Sequence, residues 1–194
     1  MEIFKPAQLT SVTGVTFKFR PLSATDSAIL GEYFMNLSPQ TIDLYGPHPF
    51  DQDTANQLCA EIDLTRIIRW IAIFTADGRE QVVGYLIQHL GIPADEMQRY
   101  AQAGRALDPA AGCLVAPSVA DAYQNQGLGS PMMAHVLKVA RQMGLKYALL
   151  EGGVFAHNER AVHYYEKHGF QRAGTFVASW AKGRPSYDMI CYLS

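Results

Sequence analysis

A glycine-containing turn is the segment of this sequence with the clearest capacity for chemistry. Residues 119–129 read VADAYQNQGLG and lie between a predicted strand and a predicted helix. Gly127 and Gly129 let a ligand approach the backbone closely, and the first N–H groups of the following helix have no partners within it. Such a turn suits an anion, above all a diphosphate, and a bulky residue at 127 is expected to block that site. An ordinary strand–helix turn would contain the same glycines.

The turn differs from the two familiar nucleotide-phosphate loops. No Lys-Ser or Lys-Thr pair follows the glycines, so it is not a P-loop. A third glycine is missing and Pro131 stands close by, so it is not a dinucleotide-binding fingerprint either.

A second segment, residues 158–170, reads NERAVHYYEKHGF. Together the two segments resemble the GCN5-related N-acetyltransferase (GNAT) superfamily. The first is similar to its acetyl-CoA motif V-x-x-x-[YW]-[RQ]-x-x-G-x-[GA], at Val119, Tyr123, Gln124, Gly127 and Gly129. The second is similar to its N-x-x-A-x-x-x-Y-x-x-x-G-F segment, at Asn158, Ala161, Tyr165, Gly169 and Phe170. The resemblance is strong over about 112–175, rests on element order over 15–90 and is absent over 91–111. The sequence of the first motif is most similar to bacterial acetyltransferase domains of the protein-lysine type.

The resemblance implies a set of cofactor-binding residues. Backbone N–H groups of the turn would hold the CoA diphosphate: Gln124, Asn125, Gln126, Gly127, Leu128, Gly129 and Ser130. The preceding strand, through Ser118 and Val119, would pair with the pantetheine amides. Asn158 would contact the CoA arm, and Arg160 a CoA phosphate. The side chain of Gln124 is not expected to be essential, because the family also uses Arg there.

The same resemblance implies catalytic roles. Tyr165, selected over Tyr164 by its spacing to Asn158, would donate a proton to the departing CoA sulfur. Glu151 is the first candidate for the general base, although the family places a Glu nearer the Asn, where this chain has a glycine; period two would keep Glu151 on the same strand face. His89 is the second candidate. Ordinary structural roles remain open for each of these side chains.

Other polar residues suggest weaker roles. Three aspartates and a tyrosine lie where the superfamily builds its acceptor-side wall, and there they could attract an ammonium group: Asp43, Asp51, Asp53 and Tyr45. A solvated loop is the alternative interpretation. Cys113 has no paired His in the motif, so it is not expected to act as a nucleophile.

Composition excludes several classes of protein. The 194 residues carry a formal net charge of -2, which does not favour nucleic-acid or anionic-membrane binding. Three distant cysteines and the absence of CxxC or zinc-ligand spacing predict neither a disulfide framework nor a metal site. We expect no membrane-spanning segment and no signal peptide, and hence a cytoplasmic protein.

The surrounding pattern predicts the elements that position these residues. Strands are expected at 15–20, 67–75, 81–90, 112–119, 146–154, 172–180 and 186–193; Asp77-Gly78 and Lys182-Gly183 are the expected hairpin turns, and Pro117 predicts a bulge or splayed edge. Helices are expected near 25–37, 54–64, 95–103, 128–143 and 159–168, with a structured loop over 38–53.

The prediction is therefore a mixed α/β fold, a mostly antiparallel sheet flanked by helices, in a single domain over 1–194. Its parts would be an acceptor-side region (15–90), an insertion (91–111), an acetyl-CoA-binding core (112–175) and a C-terminal hairpin (172–193). The predicted activity is transfer of an acetyl group from acetyl-CoA to a primary amine, in a ternary complex. The acceptor would be a small molecule, a peptide or a protein, and a homodimer is compatible. A non-catalytic acyl-CoA sensor or assembly module, and a nucleotide-phosphate binder, remain alternatives.

Overall fold

The computed structural model describes residues 2–177 and 183–193. It is a mixed α/β fold, in which a nine-stranded, mostly antiparallel sheet is flanked by helices, as predicted. The strands are β1 (Ala7–Thr10), β2 (Thr16–Pro21), β3 (Ile67–Ala76), β4 (Arg79–Leu90), β5 (Gly112–Val119), β6 (Tyr147–Leu150), β7 (Val154–Phe155), β8 (Gln171–Val177) and β9 (Pro185–Tyr192). The helices are α1 (Ser27–Met35), α2 (Pro39–Leu44), α3 (Gln52–Ala60), α4 (Ala94–Gln102), α5 (Gly129–Gln142) and α6 (Glu159–Lys167), with short 3-10 helices at Glu2–Phe4, Pro109–Ala111 and Asp121–Tyr123.

The chain forms two compact units, of which the first comprises residues 1–88 and 116–135. Its antiparallel strands β1, β2 and β3 pair Leu9 with Phe17 and Phe19 with Ala72. Alternate residues of β2 are buried, as the period-two pattern predicts. Phe19 stacks on Trp70 at 5.4 Å between ring centroids, and the indole N–H donates to the buried Gln88 side chain at 3.0 Å. The strand β1 was not predicted, because its four residues carry no strong pattern.

Three helices complete the first unit. Asp26 precedes α1 but caps it with no side-chain hydrogen bond. Its buried carboxylate accepts instead from both terminal nitrogens of Arg20, at 2.6 and 2.8 Å, and from Ser23. The expected loop over 38–53 is wrong in part, because α2 lies within it: Ser38 caps this helix and Pro39 is at its first position. Asp51 caps α3 in the same way.

The second unit comprises residues 89–115 and 136–194. In it β5 pairs in parallel with β6, from Gly112 with Tyr147 to Val115 with Leu150. Strand β9 is antiparallel to β6, β7 and β8. A buried apolar cluster joins α4 to this part of the sheet: Ile92, Tyr100, Leu114, Tyr147, Leu149 and Ile190.

Most predicted boundaries agree with the structure within two or three residues. The helix expected at 128–143 is α5, and the one expected at 95–103 is α4. The predicted turn at Lys182-Gly183 and the strand end at 178–180 involve residues outside the described range. In the part of the chain that the structure describes, no helix is both long enough and apolar enough to cross a membrane.

Candidate active site

The turn between β5 and α5 has the backbone geometry of an anion cradle. Asn125 and Gly127 both have positive φ, +60° and +76°, with one residue between them. Left-handed residues that alternate with others turn successive N–H groups toward one side, which is how backbone nests bind anions. Among the described residues, the N–H groups of Gln126, Gly127 and Leu128 have no backbone or side-chain acceptor. The helix α5 begins directly afterwards at Gly129.

Gln124 contributes to the turn in another way. Its N–H closes a tight turn by donating to the Asp121 carbonyl at 3.3 Å. Its side-chain amide donates to the Thr41 hydroxyl at 3.0 Å and to the Val119 carbonyl at 3.2 Å. The side chain therefore holds the turn to its neighbours.

Asp121 fastens the turn to the start of α2. Its carboxylate accepts from the Ser38 N–H at 2.9 Å, from the Ser38 hydroxyl at 2.6 Å and from the Thr41 hydroxyl at 2.7 Å. Burial opposes ionisation of this carboxyl, but the hydrogen bonds from Ser38 and Thr41 outweigh it and lower the pKa of Asp121. The sequence alone did not indicate this contact, because 80 or more residues separate the partners.

The end of β5 is also fixed by tyrosines. Ser118 is buried, and its hydroxyl lies 2.7 Å from the hydroxyl of Tyr33, whose pKa burial raises. Tyr45 donates to the Ala116 carbonyl at 3.0 Å. The strand continues through Pro117 to Val119, and the Ala120 N–H donates to Val83 at 3.0 Å.

In the second unit, Asn158 begins α6. Its side-chain oxygen accepts from the Ala161 backbone N–H at 3.2 Å, so Asn158 is the N-cap of this helix. Arg160 is exposed in the first turn of the same helix.

Tyr165 lies on α6 with its ring edge-on to Phe170, at 5.6 Å between centroids. Its hydroxyl makes no hydrogen bond to the described residues, and burial raises its pKa. The hydroxyl therefore keeps its proton at neutral pH. Tyr164, the rejected alternative, packs its ring against His168 at 4.8 Å.

The predicted strand over 146–154 is wrong, because a turn divides it into β6 and β7. Gly152 and Gly153 both have positive φ, and a Cβ on Gly153 would lie 2.7 Å from the Tyr187 carbonyl. Only glycine fits there. Glu151 thus lies in the turn and not on a strand, so the period-two argument for its direction fails. Its N–H donates to the Val115 carbonyl at 3.2 Å.

A buried group of charges beside this turn was not predicted. Glu96 of α4 accepts from the Gly152 N–H at 3.0 Å and also pairs with Arg99. Arg99 donates to Asp188 of β9 at 3.1 Å. Burial raises the pKa of Glu96 and of Asp188, because one guanidinium offsets the desolvation of two carboxylates only in part. The only hint in the sequence was the i, i+3 spacing of Glu96 and Arg99.

The remaining candidates have clear surroundings. Asp51 caps α3, and the hydrogen bonds from Thr54 lower its pKa. His89 is partly exposed near the end of β4, while Cys113 is fully buried on β5. Over residues 2–177 and 183–193, no group of three or more His, Cys, Asp or Glu side chains could hold a metal ion.

Comparison with known proteins identifies the family. The model of the "Acetyltransferase (GNAT) family" matches residues 40–170, two thirds of the chain. The chain belongs to the GNAT acetyltransferase family. It is therefore an acyltransferase by family, as the two motifs indicated. A separate comparison with curated proteins gives no match.

Solved GNAT structures share its fold. The GNAT domain of S. lividans PAT is 19% identical with a TM-score of 0.72, over 96% of both chains. The aminoglycoside acetyltransferase AAC(6')-Ib in complex with coenzyme A and kanamycin is 18% identical with a TM-score of 0.65, over 90% of this chain and 93% of that one. A putative phosphinothricin N-acetyltransferase is 17% identical with a TM-score of 0.64, over 92% and 99%.

Proposed function

We propose that this GNAT protein transfers the acetyl group of acetyl-CoA directly to a primary amine. The observation that carries the proposal is the turn at 124–129, where Asn125 and Gly127 have positive φ on either side of Gln126. Three backbone N–H groups of this turn have no acceptor among the described residues. A diphosphate offers oxygens to several such donors at once, and the N-terminus of α5 adds its positive dipole.

The residues assigned to the cosubstrate follow the two motifs. The turn would bind the diphosphate through N–H groups from Asn125 to Ser130, since the N–H of Gln124 already closes the turn. The backbone groups of Ser118 and Val119 would pair with the pantetheine amides, because the Ser118 side-chain hydroxyl is already hydrogen-bonded to Tyr33. We assign Asn158 to the CoA arm through its side-chain nitrogen, which makes no hydrogen bond to the described residues, and Arg160 to a CoA phosphate.

The chemistry then needs three protein groups. A Lys-like amine has a pKa of about 10.4, so a base must take a proton before or during attack. Glu151 and His89 remain the two proposed bases. As the amine nitrogen bonds to the carbonyl carbon, an N–H of β5 near Val119 stabilises the charge on oxygen. The C–S bond breaks, Tyr165 donates its proton to the sulfur, and the products are an amide and free CoA.

A small-molecule amine is the acceptor that we favour. Solved structures with this fold include the aminoglycoside acetyltransferase AAC(6')-Ib in complex with coenzyme A and either kanamycin or ribostamycin. These proteins are less than 20% identical to this chain, so their acceptors indicate only a class to test first. A peptide N-terminus and a protein lysine belong in the same panel.

Thiol release tests the proposal. The protein is incubated with acetyl-CoA and a panel of aminoglycosides, polyamines, amino acids and lysine peptides, and free CoA is measured with a thiol reagent. Amine-dependent release, together with a product 42 Da heavier than its acceptor, is the expected result.

Calorimetric titration with CoA separates the alternatives. Binding of CoA without release of thiol for any acceptor would favour an acyl-CoA sensor or assembly module. Displacement of CoA by ATP would favour a nucleotide-phosphate binder. Failure to bind CoA would overturn the proposal.

A further inference from the structure

The tip of the β1–β2 hairpin lies against the proposed diphosphate turn. The tip comprises residues 11–15, and its own hydrogen bonds fix its shape. The Ser11 N–H donates to the Val15 carbonyl at 2.9 Å, and the Val15 N–H donates to the Ser11 hydroxyl at 3.1 Å. Ser11 is also buried, so the tip is a defined structure and not a loose end.

Two residues of this tip contact the turn, more than 110 positions away in the chain. The Thr13 hydroxyl donates to the Gln126 carbonyl at 2.9 Å. Val12 lies beside Gly127: a Cβ added to that glycine would be 2.6 Å from a Val12 methyl carbon and 3.5 Å from its backbone nitrogen. Both contacts fall on the same peptide unit of the turn.

That peptide unit decides where one of the phosphate donors points. The C=O and N–H of a trans peptide point in opposite directions. Because Thr13 holds the Gln126 carbonyl on the hairpin side, the Gly127 N–H points away from the hairpin. A flip of this peptide would turn the carbonyl dipole toward the bound anion and would break the hydrogen bond to Thr13.

We propose that Thr13, supported by Val12, is a positioning residue for the CoA diphosphate, which it orients through the Gln126–Gly127 peptide. This inference rests on the proposed function. The contribution to folding is small, because Thr13 is exposed and Val12 is 84% exposed, so neither side chain belongs to the core. The effect of the contact is on the conformation of the turn.

Three variants test the role of the hydroxyl. Thr13→Val keeps the shape of the side chain and removes both hydrogen bonds of the hydroxyl, to the Gln126 carbonyl and to the Ser11 hydroxyl, each at 2.9 Å, while Thr13→Ser keeps the hydroxyl. Thr10→Val is the matched control, because the Thr10 hydroxyl lies 3.1 Å from that of Thr16 across the same hairpin and, among the described residues, makes no hydrogen bond to the turn. Each protein is titrated calorimetrically with CoA, and its thermal midpoint is measured without ligand.

We expect Thr13→Val to weaken CoA binding about three- to tenfold, the range that one hydrogen bond supplies. Thr13→Ser and Thr10→Val should bind CoA within about twofold of the parent. All midpoints should stay within about 2 °C, because none of these side chains is buried.

Each other outcome counts against the inference. Unchanged affinity in Thr13→Val overturns it, as does equal weakening in Thr13→Ser or in Thr10→Val. Weaker CoA binding together with a thermal midpoint lowered by more than about 4 °C would indicate destabilisation of the whole fold, and this result would also overturn the inference. The proposed function survives all of these results if the parent protein binds CoA, whereas a parent that does not bind CoA removes both.

Discussion

Substitution of Gly127 by alanine should lower stability through two separate costs. An L-residue at φ +76° loses roughly 1–2 kcal/mol relative to glycine. The added Cβ would also lie 2.6 Å from a Val12 methyl carbon. The Val12 side chain must turn away from its present χ1 angle to make room, and a side chain held about 30° off a rotamer costs about 0.5–1.5 kcal/mol. The sequence alone suggested that a residue here would fill the ligand site; the structure directs its Cβ toward Val12.

Gly144→Ala is the matched control for the backbone cost. Gly144 has φ +77°, and a Cβ there would meet no atom within 4 Å. Gly127→Ala should therefore lower the free energy of unfolding by more than Gly144→Ala does, and adding Val12→Ala should restore most of the difference. Denaturant unfolding measures these values, and calorimetry with CoA should show about tenfold weaker binding in Gly127→Ala, equivalent to about 1.4 kcal/mol of lost hydrogen bonding.

Two results would refute this reasoning. Equal destabilisation by Gly127→Ala and Gly144→Ala would show that the approach of Val12 has no energetic weight. Unchanged CoA affinity in Gly127→Ala would show that the diphosphate does not depend on this peptide.

The other predictions concern the proton transfers and the buried charge. Tyr165→Phe should lower kcat roughly ten- to a thousandfold with little change in CoA affinity; an unaltered kcat would exclude the proposed proton donor. Glu151→Gln and His89→Gln should have different pH profiles of kcat/KM. Only loss of the true base lowers kcat/KM about a hundredfold or more and alters its rise with pH. If neither variant behaves in this way, both assignments fail. Asp26→Asn should destabilise the fold by about 3 kcal/mol near pH 7, because it leaves Arg20 without its partner in a buried pair. Burial tends to raise the pKa of Asp26, but the hydrogen bonds from Arg20 and Ser23 outweigh it and lower this pKa. The stabilisation by the Asp26 carboxylate is therefore complete above the pKa that this group has in the unfolded chain, and it is lost as pH falls through the lower pKa of the folded state. The difference in the free energy of unfolding between parent and variant, measured in urea, should shrink in acid. A difference that stays constant down to pH 2 would contradict the assignment.

Local signals were sufficient to predict most of the fold. Asp77-Gly78 between two apolar runs predicted the β3–β4 hairpin, and glycines at 144 and 169 marked the ends of α5 and α6. These features act within a few residues, so periodicity and turn chemistry are enough to recognise them.

The missed elements are short or depend on distant partners. The helix α2 has six residues, although the Ser38-Pro39 pair was a usable capping signal. The adjacent glycines Gly152 and Gly153 were a signal for the break after β6, but the apolar residues around them suggested a continuous strand. No local pattern could place Asp121 on Ser38 or Thr13 on Gln126, because folding brings these partners together across long stretches of chain.

The ionic cluster of Glu96, Arg99 and Asp188 determines how residues 91–111 can be engineered. A redesign of this stretch that keeps α4 but replaces Arg99 would remove the guanidinium and leave the carboxylate of Asp188 in the interior without a counter-ion. A solitary interior charge of this kind costs about 3–5 kcal/mol, a large part of the stability of an ordinary domain. Redesigned segments that lack Arg99 should therefore be more stable when Asp188 is exchanged for an apolar residue in the same step.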